Sequence, residues 1–239
     1  MNIILKIQRY NPATDSEPYQ QEYTVDVDPN ERLLDALMKV KRFQDGSLGF
    51  RKSCAHGVCG SDAMRINGKD GLACKTLIKE VAANDGDAVT VEPLNHLPVQ
   101  RDLIVDQEMF FKKYRSVKPF LINDEQVDKK ERIQSQKERM VFDDTTNCIL
   151  CGACYSACPV LDKKPNFIGP AASAQAYRFI ADSRDRAREE RLQMLHTSEG
   201  VWACDNHFKC TKSCPRSILI TKRINETKQM IKKLKKVGK

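Results

Sequence analysis

Apolar and polar residues alternate from Asn2 to Tyr10 (NIILKIQRY), the period-two pattern of a strand with one buried face. The alternation returns at Glu22–Val27 (EYTVDV), and Asn11-Pro12 with its polar neighbours predicts the turn between the two. Asp28-Pro29-Asn30 then opens a helix whose Leu33, Leu34, Leu37 and Met38 share one side. Past Gly46 the pattern dissolves into a loop, and Ala88–Pro93 (AVTVEP) predicts a closing strand. Strand, strand, helix, loop and strand in about 95 residues make a small α+β domain.

Beyond it the period changes. Arg101–Lys118 predicts a connector running into a helix, with Met109, Phe110 and Tyr114 spaced for packing. Asp124–Arg139 is dense in charge and predicts an exposed hinge or surface helix. Ala171–Ile180 and Arg186–Leu195 predict helices with Ala-rich and Leu/Met faces, and Thr221–Lys239 a solvated helix carrying Ile224, Ile231 and Leu234. The expected division is 1–105 and 106–239, and a chain of 239 residues is long enough for two cores.

Ten cysteines change the picture. Their crowding suits metal far better than a disulfide framework, and no apolar leader follows Met1, so a reduced compartment is expected. No run reaches the ~18 apolar residues of a membrane span. The net charge of +8 raises nucleic acid as a partner, but aromatics do not interleave with the basic residues, so none is expected. A basic surface facing an acidic partner or anionic lipid is expected instead; near a membrane each basic residue would contribute ~1 kcal/mol.

The densest run is Cys148-x2-Cys151-x2-Cys154-x3-Cys158-Pro159, the bacterial ferredoxin spacing. In that pattern three thiolates hold one cluster and the cysteine before proline serves another, so a second run is required. Cys204-x2-His207-x2-Cys210-x3-Cys214-Pro215 supplies it, with histidine where a second cysteine would stand. Cys148, Cys151, Cys154 and Cys214 give four thiolates, hence [4Fe–4S]. Cys158, Cys204 and Cys210 give three, hence [3Fe–4S], with His207 read as a neighbour of the cluster or as a fourth donor. In the N-terminal part, Cys54-x4-Cys59-x2-Asp62 followed by Cys74 matches the plant-type [2Fe–2S] spacing with aspartate in place of the third cysteine. Asp62 is expected either to bind iron or to cap the loop.

Two ferredoxin types fused with these three clusters, together with RYNP at Arg9–Pro12, LLDAL at Leu33–Leu37, NGKDGLAC at Asn67–Cys74, RDLIVD at Arg101–Asp106, FIGPAA at Phe167–Ala172 and DSRD at Asp182–Asp185, closely resemble the iron–sulfur subunits of succinate dehydrogenase and fumarate reductase. The resemblance covers nearly the whole chain. It implies a plant-type [2Fe–2S] ferredoxin domain of β-grasp fold followed by a mostly α-helical bacterial-ferredoxin-like domain. It also implies electron transfer from an FAD-containing flavoprotein subunit through [2Fe–2S], [4Fe–4S] and [3Fe–4S] to a quinone beside membrane-anchor subunits, in respiration and the tricarboxylic acid cycle, or the reverse in fumarate reduction. The chain has no G-x-G-x-x-G flavin fingerprint, so dicarboxylate chemistry would belong to the partner. Pro159 and Lys228 match quinone-side positions of the family. Lys163, Asp205 and His207 stand where ubiquinone-linked members carry Trp, His and Ile, leaving the identity of the quinone open. The expected location is peripheral, on the cytoplasmic face of a bacterial inner membrane. The competing readings are a subunit serving a soluble acceptor and a zinc-dependent, basic nucleic-acid-binding protein.

Overall fold

A computed structural model describes residues 1–126 and 131–237, with side chains to 234. The chain forms two compact units: Met1–Gln107 with Ile149–Ala157, and Glu108–Cys148 with Cys158–Lys239.

In the first unit β1 (Asn2–Arg9), β2 (Tyr19–Asp26), β3 (Ala63–Ile66), β4 (Lys69–Leu72) and β5 (Ala88–Glu92) form one sheet in the order β2-β1-β5-β3-β4. β1 pairs antiparallel with β2 and parallel with β5. The alternation in β1 buries Ile3, Leu5 and Ile7, and the helix Leu33–Phe43 covers them with Leu33, Leu34, Ala36, Leu37 and Val40. Met38 lies at the margin, half-buried. The helix begins later than Asp28–Asn30 suggests. Asp28 Oδ1 accepts from Asn30 N–H (2.7 Å), a local turn, and the Asp35 side chain accepts from Arg32 N–H to start the helix.

Two pairings fall where the sequence predicts loop or connector. β3 and β4 form a hairpin turned by Asn67 (φ 47°) and Gly68 (φ 74°), both in the left-handed region that a tight two-residue turn requires. β6 (Val99–Arg101) and β7 (Ile104–Val105) form a separate ribbon, turned at Asp102.

The fourth inward position of β1 is charged. Arg9 is buried and donates to Asp102 Oδ1 (3.0 Å), Gln21 Oε1 (2.7 Å), Ser47 Oγ (2.8 Å) and, at short range, Tyr23 and Asp45. Asp102 in turn accepts from Gly49 N–H (2.6 Å) and Tyr10 N–H (2.9 Å). The segment that enters the first cysteine loop is thereby tied to β1 and to the β6–β7 turn. Hydrogen bonds from Ser47, Tyr23 and Arg9 hold the Asp45 carboxyl well below the usual carboxylate range.

The second unit is helical. Pro170–Ile180 is buried along its length except at Arg178, and its Ala171, Ala172, Ser173, Ala174 and Ala176 admit close neighbours. Ile220–Val237 packs against it with Ile220, Ile224, Thr227 and Ile231 buried, while Leu234 is largely exposed. Arg223 of that helix pairs with Asp144 (2.7 Å), fixing the turn before Cys148. Arg191, fully buried on the helix Arg188–Leu195, pairs with Asp185 (2.6 Å) and donates to the carbonyls of Lys118 and Phe120. The helix Glu108–Ser116 buries Phe110 and exposes Met109. Among the described residues of the charged stretch 124–139, regular helix lies at the C-terminal end, at Gln136–Met140 capped by Ser135 and Glu138; residues 127–130 lie outside the described residues.

Candidate functional site

The loop before β3 curls because Ala55, Gly57 and Gly60 hold positive φ (57°, 71° and 70°). That curl turns amides toward sulfur. His56 N–H and Cys59 N–H point to Cys54 Sγ (both 3.3 Å), Cys54 N–H to Cys59 Sγ (3.5 Å) and Gly57 N–H to Cys74 Sγ (3.2 Å). Three thiols predicted as ligands therefore share one amide-lined loop, a setting built for negatively charged sulfur. The backbone N–H groups of His56, Cys59 and Val58 bring the Cys54 thiol down to about 6. Cys74 goes the other way, pushed up to about 12 by burial and by the Asp62 carboxylate.

Asp62 is buried, and its Oδ2 accepts from Cys74 N–H at 2.5 Å. The bond engages one carboxylate oxygen and joins the residue before β3 to Cys74, two residues past the end of β4. His56 keeps its ring against the Cys54 carbonyl, as a loop residue would.

Cys151 and Cys154 are buried, and Cys148 and Cys214 are half-buried. Left-handed Leu150 (φ 53°) and Gly152 (φ 83°) curl the chain into the short helix Ala153–Ser156, and Ser156 Oγ accepts from Asn95 N–H (2.7 Å).

Cys158, Cys204 and Cys210 line one narrow cavity, together with Pro159, His207 and Thr221. Burial, with the neighbouring thiols of Cys210 and Cys204, pushes the Cys158 thiol up to about 11; burial also raises Cys210. Thr221 Oγ1 lies 3.4 Å from Cys210 Sγ. Lys228 Nζ donates to the Cys204 carbonyl (2.8 Å) and stands 6.0 Å from the centre of the Trp202 ring, with Lys232 at 5.8 Å. Asn206 and Phe208 hold left-handed φ (59° and 60°), and His207 between them is exposed on the rim of the cavity.

These residues fit iron–sulfur clusters. Raised thiols such as Cys74, Cys158 and Cys210 stay protonated at neutral pH until a positive charge displaces the proton, and bound iron is such a charge. Among the described residues no three His, Cys, Asp or Glu side chains crowd onto one point, the arrangement that a single ion needs.

The buried network of Arg9, Asp45 and Asp102 and the bond from Lys228 to the Cys204 carbonyl are supports that cysteine spacing does not reveal. Arg9-Tyr10 and Arg101-Asp102 lie in two of the matched sequence runs, the one signal available for the first of them.

Comparison with known proteins agrees with this chemistry. Residues 4–112 match the family described as a 2Fe-2S iron-sulfur cluster binding domain, and residues 144–218 match the 4Fe-4S dicluster domain. The chain is 44% identical to a succinate dehydrogenase iron-sulfur subunit of Coxiella burnetii over 223 residues, covering 92% of this chain and 93% of that one. It is 37% identical to a fumarate reductase iron-sulfur subunit of Escherichia coli, over 91% and 88% of the two chains. Its fold is similar to a chain of the Mycobacterium smegmatis Sdh1 complex in the apo form (TM-score 0.87, 28% identity, 96% and 95% coverage). The zinc-dependent nucleic-acid reading falls away: both matched domains are iron–sulfur domains. The chain belongs to the iron–sulfur subunits of succinate dehydrogenase and fumarate reductase, the electron-transfer subunits of those oxidoreductases.

Proposed function

We propose that this chain is the electron wire of a succinate:quinone oxidoreductase, or of the same machine run backwards as a fumarate reductase. In this reading Cys54, Cys59, Asp62 and Cys74 hold [2Fe–2S], Cys148, Cys151, Cys154 and Cys214 hold [4Fe–4S], and Cys158, Cys204 and Cys210 hold [3Fe–4S]. Residues 1–105 form the plant-type ferredoxin half and 106–239 the helical half. Bound clusters supply one-electron carriers, and the potential of each follows its ligands, charge, hydrogen bonds and exposure. The chain's own contribution is the amide cradle around Cys54, Cys59 and Cys74, which favours the thiolate form at Cys54, and the burial of Cys74, Cys158 and Cys210.

The partners in this reading are an FAD-bearing flavoprotein, which oxidises succinate, and membrane-anchor subunits beside a quinone. The location is the cytoplasmic face of a bacterial inner membrane. Among the described residues no helix is long and apolar enough to cross a membrane, and the 44% identical relative carries the succinate dehydrogenase name.

The observation that carries the quinone end is the single cavity lined by Cys158, Pro159, Cys204, His207 and Cys210, with Lys228 fastened to the Cys204 carbonyl. A cation there favours the anionic forms of a quinone under reduction and fixes the Cys204 turn. Lys228→Ala is expected to slow quinone reduction about tenfold, a loss of ~1.4 kcal/mol of barrier lowering. Succinate oxidation with an artificial acceptor should keep its rate. Equal loss of both activities would remove Lys228 from the quinone end.

A further inference from the structure

A second concavity in the helical unit has no cysteine in its lining. It has a volume of about 400 Å³ and runs between the strap Pro119–Leu121, the residues around Arg139–Phe142 and the end of the helix Pro170–Ile180. That size is within the range of small-molecule sites. Three guanidinium groups, Arg139, Arg178 and Arg184, face it, against one carboxylate, Asp182. Asp182 pairs with Arg184, and Asp143, beside the lining, pairs with Arg139, so the charge of Arg178 is the one left over.

The three arginines are differently engaged. Arg184 holds Asp182 by two bonds, Nε at 2.9 Å and a terminal nitrogen at 2.7 Å, so that carboxylate is already matched. Arg139 uses one terminal nitrogen for Asp143 (2.9 Å) and Thr146 (3.1 Å); its other terminal nitrogen is buried and has no hydrogen-bond partner among the described residues. Arg178 has no ion pair among the described residues and is the one position of its helix that is not buried. Arg139 and Arg178 lie over the rings of Phe142 and Phe179, at 5.1 and 5.2 Å from the ring centres. Stacking of this kind orients a guanidinium while leaving its in-plane N–H edge free for a carboxylate or phosphate.

We propose that this concavity binds a small organic anion through a carboxylate or phosphate group held on Arg178. Arg178 is the guanidinium of the lining left without an ion pair among the described residues, and it supplies the donors, with the Phe179 ring beneath it fixing its plane.

The test is calorimetric titration of the full-length, cluster-loaded subunit with citrate in one arm and pyrophosphate or ATP in the other. Saturable binding in either arm is expected, and the arm that responds identifies the acidic group. Arg178→Gln should weaken it at least tenfold, whereas Arg115→Gln, an exposed arginine paired with Glu108 outside the cavity, should leave it unchanged. No saturable binding at millimolar concentration in either arm, or equal binding by Arg178→Gln, would overturn the proposal. Should Arg178→Gln lose its clusters, hydrogen exchange on the unaltered protein decides. Slowing on ligand addition confined to 119–121, 139–146 and 178–184 supports the site, and slowing elsewhere overturns it.

Discussion

At Asp62 two roles meet on one carboxylate. Its Oδ2 accepts from Cys74 N–H, a bond that an asparagine carbonyl would accept equally well, whereas only a carboxylate brings charge to iron. Asp62→Asn therefore separates capping from ligation. If Asp62 is a ligand, the variant keeps its fold and its other clusters but loses the [2Fe–2S] signal in electron paramagnetic resonance, with about two fewer irons per chain. Asp62→Cys should keep that cluster. An unchanged [2Fe–2S] signal in Asp62→Asn would make Asp62 a cap alone.

Elements matter here chiefly through what their turns allow. Gly60 sits at φ +70°, and a Cβ built there would lie 2.6 Å from Cys151 Cβ and 3.0 Å from its Cα, so one cysteine loop packs directly on the backbone of another. Gly60→Ala adds a left-handed alanine, at ~1–2 kcal/mol, to an overpacked contact of ~1–3 kcal/mol. A stability loss of about 2–5 kcal/mol is expected in thermal unfolding under exclusion of oxygen. An unshifted midpoint would mean that the two loops do not pack in solution as they do in this structure. The strongly periodic elements were legible beforehand: β1, the face of Leu33–Phe43, and the helices after Gly169 and Ala187. The hairpin β3–β4 was not. Its strands are four residues each, and Lys69-Asp70-Gly71 breaks the alternation that betrays a strand, although Asn67-Gly68 carried the turn signal. The cysteine runs proposed as ligands are legible because their members lie close together in sequence. The pair Arg9–Asp102 spans 93 positions and exists only once β1 and the β6–β7 turn meet, so no spacing rule reaches it.

For the whole molecule, two units each carry thiols on strained loops, and a basic chain of net charge +8 belongs to a family that works inside an oxidoreductase complex. The central claim is the number and kind of clusters. Electron paramagnetic resonance on the oxygen-free protein, first oxidised and then reduced in steps with iron and sulfide counted, tests it most directly. A [3Fe–4S] signal is expected in the oxidised state, joined on reduction by [2Fe–2S] and [4Fe–4S] signals. A third cluster silent when oxidised would instead be a four-iron cube, with His207 its suspected fourth ligand, and protein without iron or paramagnetic clusters would contradict the electron wire altogether.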